Sequence, residues 1–415
     1  MALGTVASPV LLHREDSHAS RERWSIEAVL DTPLCRVALT VGLVTTLALG
    51  MLYAAVGDWN GQDLDVYRAG GAAVLHGHSL YDASFRTPTK LPFTYPPFAA
   101  ALFVPLCLIG QSVALALWNL LTMLAAGLLL VISFVSASNV SIARRWLPHF
   151  VVFGGVLAAS LSPIQDGMYE GQVGVFLALL CAADVALPRT RWRRGILVGL
   201  AAALKMTPGL FIVYFAITRN WRAARASLFT LVVCWGFAAI VLPHDSLAYF
   251  VKGTAYDASR VGKASDHLNE SLNGLWHRLP VVAPTAFWLI SAGVIGMLGL
   301  WRAKRAHEMG NDLAAVVIVG LTTVLIAPVS WLHHAAWVIP AVVVLVWGGQ
   351  RRAVAWAAAL VVVGLLAVPV GYFVGYSASA RGPLVEIYIV IFLALVLLLP
   401  LSRSTWRTRD RIADS

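Results

Sequence analysis

Charged side chains are scarce in this chain. Asp, Glu, Lys and Arg make up 13% of its 415 residues, against 59% that are hydrophobic. That balance excludes an ordinary water-soluble domain. Cysteine is scarcer still: Cys35, Cys107, Cys181 and Cys234 all lie in apolar stretches and show no CxxC spacing. Neither a disulfide framework nor a zinc site is indicated, and the four read as small core residues. Acidic residues number 21 against 31 Lys and Arg, giving a net charge of +10. The excess does not indicate nucleic acid, because the basic residues come in short clusters between apolar segments, as cytoplasmic loops do. The first 35 residues are polar and charged (His13, Arg14, Glu15, Asp16, Arg21, Glu22, Arg23) and lack the small-residue cleavage site of a signal peptide. Residues 1–35 therefore read as a cytoplasmic tail, and the first apolar segment as a retained anchor.

What is present in abundance is apolar runs. A helix needs roughly 20 apolar residues to cross the hydrocarbon core, and candidates lie near 36–56, 113–135, 149–164, 173–187, 226–243, 284–301, 312–330, 335–348, 353–376 and 384–401. Two further stretches, 97–110 and 195–217, suit a simple crossing badly. The clusters Arg144/Arg145, Arg189/Arg191/Arg193/Arg194, Arg219/Arg222/Arg225, Arg302/Lys304/Arg305, Arg351/Arg352 and Arg403/Arg407/Arg409/Arg411 belong on the cytoplasmic side. Segment 195–217 has such a cluster at each end, so one crossing would strand one of them outside. A re-entrant hairpin removes the conflict, with Lys205-Met206-Thr207-Pro208-Gly209 as its helix-breaking tip. Segment 97–110 must likewise dip in and return near Gly110.

The expected architecture is an all-α integral membrane protein with about ten full spans, two re-entrant or broken hairpins and extracytoplasmic loop helices. Residues 36–402 form the membrane domain, with external loops at 57–96 and 244–283, and 403–415 form a second cytoplasmic tail. Derived from Lys and Arg alone, this topology places Asp58, Asp63, Asp65, Glu170, Lys205, Asn269, Glu270, His333 and His334 at one face.

These residues are the candidates for chemistry. Residues 63–76 read as an interfacial helix with Leu64, Tyr67 and Val74 roughly on one side, and Asp63 near its start, where the dipole favours an ionised carboxylate. Such a carboxylate beside a membrane cavity suits a general base for a sugar hydroxyl; Asp58 and Asp65 compete for the role. Glu170 ends one span where carboxylates are costly unless functional or paired. Lys205, at the centre of an apolar stretch, suits a phosphate, or else an ion pair with Glu170 or an aspartate. His333-His334 opens a span; adjacent helical positions diverge by about 100°, which argues against chelating one metal and for a single histidine facing the cavity as a hydrogen-bond partner. Asn269-Glu270-Ser271-Leu272-Asn273-Gly274 mixes amides, hydroxyls and leucines, as a carbohydrate-binding wall does. Tyr95-Pro96-Pro97, Trp118, Trp235, Trp331 and Trp337 read as an interfacial belt or as stacking platforms for sugars.

Taken in order, Asp63-Leu-Asp-Val-Tyr67, His76-Gly-His-Ser-Leu-Tyr-Asp82, Phe93-Thr-Tyr-Pro-Pro-Phe98, Glu170-Gly-Gln172, Lys205-Met-Thr-Pro208, Asn269 to Gly274 and Pro328 to His334 resemble glycosyltransferase family 87. The resemblance implies a GT-C-type bundle and, without metal or cofactor, an inverting transfer from a polyprenyl-phosphate sugar to a membrane glycolipid on the outer face. It implies mannose and phosphatidylinositol mannoside or lipomannan, with an arabinofuranosyl donor as the alternative. Asp63 matches the base, His333 joins it as a catalytic candidate, and Tyr67, Tyr95, Glu170, Gln172, Lys205, Asn269, Glu270, Asn273 and His334 are expected at the substrates. The implied partners are the lipid-linked donor, the glycolipid acceptor and membrane lipids, with no nucleic acid or protein. A transporter or flippase is the competing class; it requires ionisable groups through the depth of the bilayer and inverted repeats. No clear repeat is present.

Overall fold

The computed structural model describes residues 32–56, 60–82, 85–138, 142, 145–187, 194–348, 352–367 and 386–401. Asp58, Arg144, Arg189, Arg191, Arg193, Arg351, segment 377–383 and the C-terminal basic run lie outside the described residues, as does nearly all of the N-terminal tail. Residues 1–42 and 43–415 form separate units. The first is described only over the start of helix α1 (Pro33–Val56), and every candidate site residue belongs to the second.

Apolar runs become helices here, and no strand occurs among the described residues. Helix α2 (Gln62–His76) precedes two short helices, α3 (Pro97–Leu102) and α4 (Val104–Cys107), then α5 (Gln111–Ser138), α6 (Leu147–Ala159), α7 (Ser162–Glu170) and α8 (Gly174–Ala186). Next come α9 (Ile196–Leu204), α10 (Leu210–Ile217), α11 (Trp221–Val241), α12 (Pro243–Phe250), α13 (Leu272–Arg278), α14 (Pro284–Glu308) and α15 (Asp312–Ile326). The chain closes with α16 (Val338–Gly348), α17 (Arg352–Ala367) and α18 (Ile387–Leu398). Each of the ten expected spans thus carries a helix. Among the described residues, α5, α11 and α14 are long and apolar enough to cross a membrane alone, making four spans if the bent pair α6–α7 counts as one.

That pair departs from the straight span expected over 149–164. The chain turns by 92° between α6 and α7, because Pro163 stands in the first turn of α7, where it lacks an N–H to continue the preceding ladder. The bend lays α7 across the end of the bundle instead of through it.

Side-chain contacts fix the level of each helix. Trp118 Nε1 donates to the Gln172 carbonyl at 3.3 Å, and Ser136 Oγ to the Ala186 carbonyl at 3.3 Å, so α5 and α8 descend together from one end to the other. Helix α6 returns against α5, with Gly127 and Gly155 allowing backbone on backbone: a Cβ at either would collide with the carbonyl of Val151 or Met123. Gly195 and Gly199 pack under the carbonyls of Ala223 and Ser227, while Trp235 Nε1 donates to the Ala203 carbonyl at 3.2 Å. Helices α9 and α11 therefore start level and rise together. Lys205 breaks α9, a 3-10 turn at Thr207–Gly209 reverses the chain, and α10 leads back down to the foot of α11. Segment 195–217 leaves at the level where it entered. Segment 97–110 also stays at the upper end, where Arg68 of α2 donates to the carbonyls of Leu106 and Ile109 at 3.1 and 2.7 Å and so caps the ends of its short helices.

The lower end holds Arg194, Arg219, Arg302 and the His307–Asp312 pair, whose Nδ1 and Oδ1 lie 2.6 Å apart. Asp184, the one acidic residue inside α8, is fully buried there. It accepts from the backbone N–H of Gly195 at 2.9 Å and of Val198 at 3.0 Å, which neutralises the exposed amides at the start of α9. It is committed to structure, so no chain of ionisable groups links the two ends through it. Asp184→Ala is expected to destabilise the protein by at least about 2 kcal/mol, since hydrogen bonds to a buried charge are lost. Thermal unfolding in detergent would show this as a lowered Tm, and an unchanged Tm would contradict the assignment.

Candidate functional site

The upper end gathers residues from six separate stretches of chain. Gly61 N–H donates to the Tyr169 carbonyl at 2.8 Å, docking the start of α2 on the end of α7. Gly171, which ends α7 with φ of +74°, lies against Leu64, where a Cβ would stand 2.7 Å from the Leu64 Cβ. Only glycine meets both conditions. This contact brings Asp63 and Gln172 together across more than a hundred residues of sequence.

Gln172 Nε2 donates to Asp63 Oδ2 at 2.6 Å. The amide is held from behind: Tyr67 OH donates to Gln172 Oε1 at 3.1 Å, Gln172 Nε2 also donates to Tyr95 OH at 3.1 Å, and the two tyrosine hydroxyls are 2.9 Å apart. With Tyr95 donating to Tyr67, every donor in the ring has an acceptor, so the amide nitrogen must face Asp63. Tyr67, Tyr95 and Gln172 are buried and line neither of the site's two cavities. They were expected at the substrates; the structure sets them beneath Asp63, in a cluster sealed by Phe103 and Trp118.

A cavity of about 250 Å³ opens above Asp63, lined by Gln62, Asp166, Glu170, Glu270, Trp331, His333 and apolar neighbours. Asp166 is the residue that the sequence reading missed. It lies one helical turn before Glu170 on α7, a spacing that places both on one face. Its Oδ2 accepts from the His333 backbone N–H at 3.1 Å and stands 2.7 Å from His333 Nδ1. That contact places a proton on Nδ1 and leaves Nε2 buried and without a partner.

His334 looks the other way. The pair lies on a 3-10 turn, Leu332–Ala335, rather than opening the following helix, and the two rings stand edge to face at 4.8 Å. His334 lines a narrow cleft of about 20 Å³ with Gly174, Lys205, Thr207, Ser330 and Trp337. Both histidines therefore meet a cavity, each its own, where one was expected. Lys205 Nζ lies 2.8 Å from His334 Nε2 and 5.2 Å from the centre of the Tyr95 ring. Among the described residues it pairs with neither Glu170 nor an aspartate. The Trp331 N–H donates to His334 Nδ1 at 3.2 Å. A neutral imidazole has one N–H, so with Nδ1 accepting, Nε2 carries the proton and the lysine accepts it as a free amine. Burial lowers Lys205 to about 8 against the opposing pull of Asp63, so this amine arrangement belongs to the alkaline side of neutrality and the ammonium predominates below it.

Burial also raises the Asp63 carboxyl above its ordinary value, with His333, the Gln172 hydrogen bond and Lys205 opposing. The sequence reading expected the helix dipole to keep it ionised. Desolvation outweighs that contribution, and the polar partners limit the rise.

The remaining candidates divide. Asn269 Nδ2 donates to the Ala264 and Pro328 carbonyls while its Oδ1 accepts from the N–H groups of Ser330 and Ser271. Asn273 donates to the Pro328 carbonyl at 2.9 Å. Both build the loop wall, and neither lines either of the site's two cavities. Asp65 lies buried and does not line the acidic cavity that Asp63 lines; burial raises its carboxyl, with Gln111 and Arg68 opposing. Trp118 and Trp235 donate their ring N–H groups to backbone carbonyls, Trp337 lines the lysine–histidine cleft, and Trp331 alone of the four expected tryptophans reaches the acidic cavity. Among the described residues, no group of three or more His, Cys, Asp or Glu is arranged to hold a metal ion.

An acidic cavity and a lysine–histidine cleft lie at one end of a bundle of apolar helices and gather acid–base side chains there. The model of glycosyltransferase family 87 matches residues 93–328. A Mycobacterium tuberculosis protein named polyprenol-phosphate-mannose-dependent alpha-(1-2)-phosphatidylinositol mannoside mannosyltransferase is 34% identical over 312 residues, 71% of this chain and 72% of its own. The protein of the same name from Mycolicibacterium smegmatis is 33% identical, covering 73% of each chain. A Mycobacterium tuberculosis pentamannoside mannosyltransferase of the same donor class is 30% identical, covering 84% of this chain and 78% of its own. No solved structure matches the chain. The chain belongs to glycosyltransferase family 87, and it is a glycosyltransferase.

Proposed function

We propose that the protein transfers mannose from polyprenyl-phosphate-mannose to a phosphatidylinositol mannoside in an α-1,2 linkage, by a single inverting displacement at the extracytoplasmic face of the cell membrane. The donor and acceptor classes rest on the names of the relatives. The face rests on charge: Arg194, Arg219 and Arg302 gather at the end of the bundle opposite the site, and basic residues favour the cytoplasm. About ten crossings, two re-entrant hairpins and cytoplasmic termini complete this reading.

The observation that carries the mechanism is the Asp63–Gln172 hydrogen bond at 2.6 Å. Asp63 acts as the general base. Gln172 holds Oδ2, so Oδ1 takes the proton of the acceptor hydroxyl as that oxygen attacks the anomeric carbon. The bond from that carbon to the phosphate oxygen breaks, and polyprenyl phosphate leaves with the electron pair. Phosphate is already a competent leaving group, so the protein chiefly orients the two substrates and offsets growing negative charge. Lys205, Thr207 and His334 line the cleft suited to that phosphate. An arriving dianion favours the ammonium form of Lys205, and the cleft, which holds about one water as it stands, widens to admit it. Tyr95 links the two halves, since its hydroxyl bonds to Gln172 and its ring face supports Lys205.

Asp63→Asn is expected to lower kcat by about 10²- to 10⁴-fold, the range for loss of a positioned base; transfer at the parent rate would place the base elsewhere. The profile of kcat/KM against pH is expected to be a bell. Its acid limb lies above the ordinary aspartate value because burial raises Asp63, which acts only when ionised. Its basic limb lies near 8, where Lys205 loses the proton that phosphate binding requires. Gln172→Leu removes a hydrogen bond that favours ionised Asp63, so its acid limb moves to still higher pH; an unmoved limb would show that Gln172 does not act through Asp63.

A further inference from the structure

The acidic cavity contains unmet hydrogen-bonding capacity that the proposed displacement does not use. Four carboxyl groups reach it, from Asp63, Asp166, Glu170 and Glu270, and no lysine or arginine is among its lining residues. A phosphate or any other anion is repelled there. Two of the four are already engaged, Asp63 by Gln172 and Asp166 by His333. Glu270 differs from both: it is 3% exposed, and its Oε2 has no partner. His333 is 5% exposed, with Nε2 equally without a partner. Polar atoms buried in this way are costly unless a ligand completes them.

Glu270 also stands on a fixed scaffold. Its N–H donates to the Ser330 carbonyl at 2.6 Å, while Asn269 beside it bridges to Ser330 and Pro328. Arg278 holds the same loop from below, donating to the carbonyls of Asp266 and Asn269 and, through Nε and Nη2, to both carboxylate oxygens of Glu386 at 2.7 Å each. Burial pushes the Glu270 carboxyl well above the carboxylate range, opposed by Arg278. One carboxyl oxygen and one imidazole nitrogen thus stand without partners in the wall of a single cavity, where they call for a ligand carrying several hydrogen-bonding groups. Neighbouring hydroxyl groups of an uncharged sugar match that pattern, and Trp331 supplies an apolar wall.

We infer that the terminal, uncharged sugar of the acceptor is seated in this cavity by hydrogen bonds to the Glu270 carboxyl and to His333 Nε2, which makes Glu270 a determinant of acceptor binding separate from the donor cleft. This inference rests on Asp63 being the base that faces the same cavity. The sugar's attacking hydroxyl then meets Asp63 with its neighbouring hydroxyls held, while the donor phosphate is kept among Lys205, Thr207 and His334.

The test uses the full chain in lipid nanodiscs with polyprenyl-phosphate-mannose and a phosphatidylinositol mannoside, comparing Glu270→Leu, Glu270→Gln and Asp63→Asn. Glu270→Leu is expected to raise the acceptor KM by at least about tenfold, as for a site built to bond a substrate hydroxyl, with the donor KM little changed. Glu270→Gln, an uncharged isostere that still donates and accepts, is expected to restore most of that loss. An acceptor KM within about twofold of the parent in Glu270→Leu would overturn the inference, as would equal damage from leucine and glutamine, or a rise confined to the donor KM. Asp63→Asn separates the two levels. Loss of transfer there with an unchanged acceptor KM in Glu270→Leu rejects the acceptor site alone, whereas full transfer there rejects the base assignment on which the inference stands.

Discussion

A carboxylate at the end of an apolar bundle takes its character from the groups that donate to it, and for Asp63 that group is Gln172. The bond between them is what the rest of the site is arranged around. Gln172 is useful only if its amide nitrogen faces Asp63, and the paired hydroxyls of Tyr67 and Tyr95 enforce that orientation. Those tyrosines are held in turn by Phe103 and Trp118. The aromatic residues are foundations for the carboxylate, and in the proposed reaction the substrates meet the layer above them.

The same constraint explains the broken helices. A straight span delivers one or two residues to a given level, whereas a chain that bends or reverses there can offer side chains and backbone together, provided that the backbone is sheltered. Pro163 bends the chain into α7, which presents Asp166 and Glu170 on one face. The break at Lys205 exposes an amine at the level where His334 arrives on a 3-10 turn. Adjacent histidines on that turn then serve two cavities, His333 the acidic one and His334 the cationic one. In the proposed reaction, separation of charge between the cavities keeps a phosphate and a neutral sugar from exchanging places, and so supplies direction as well as binding.

Much of the scaffold is legible in the sequence. Runs of apolar residues mark the helices, and the conflict between basic clusters at both ends of 195–217 points to a reversal at Lys205, because charge cost and helix-breaking residues are local properties. The 92° turn at Pro163 is legible only in principle, since an uninterrupted apolar count hides a single proline. At the site, Asp63, Glu170, Lys205, Glu270 and the histidines can be found because ionisable groups are conspicuous in an apolar chain. What each one touches cannot. Gln172 and Tyr67 look alike as polar residues near the active level, and only packing against Leu64 and Trp118 shows that they lie behind the carboxylate. Asp166 escapes notice because Glu170 sits in the more conspicuous motif.

A structure of the enzyme holding polyprenyl phosphate and the glycosylated product together decides whether Asp63 is the base. The phosphate should lie against Lys205 and His334, and the newly formed glycosidic oxygen should sit within about 3 Å of Asp63, with the acceptor sugar toward Glu270. A phosphate bound among Asp166, Glu170 and Glu270, or a glycosidic oxygen far out of hydrogen-bonding reach of Asp63, would contradict that assignment.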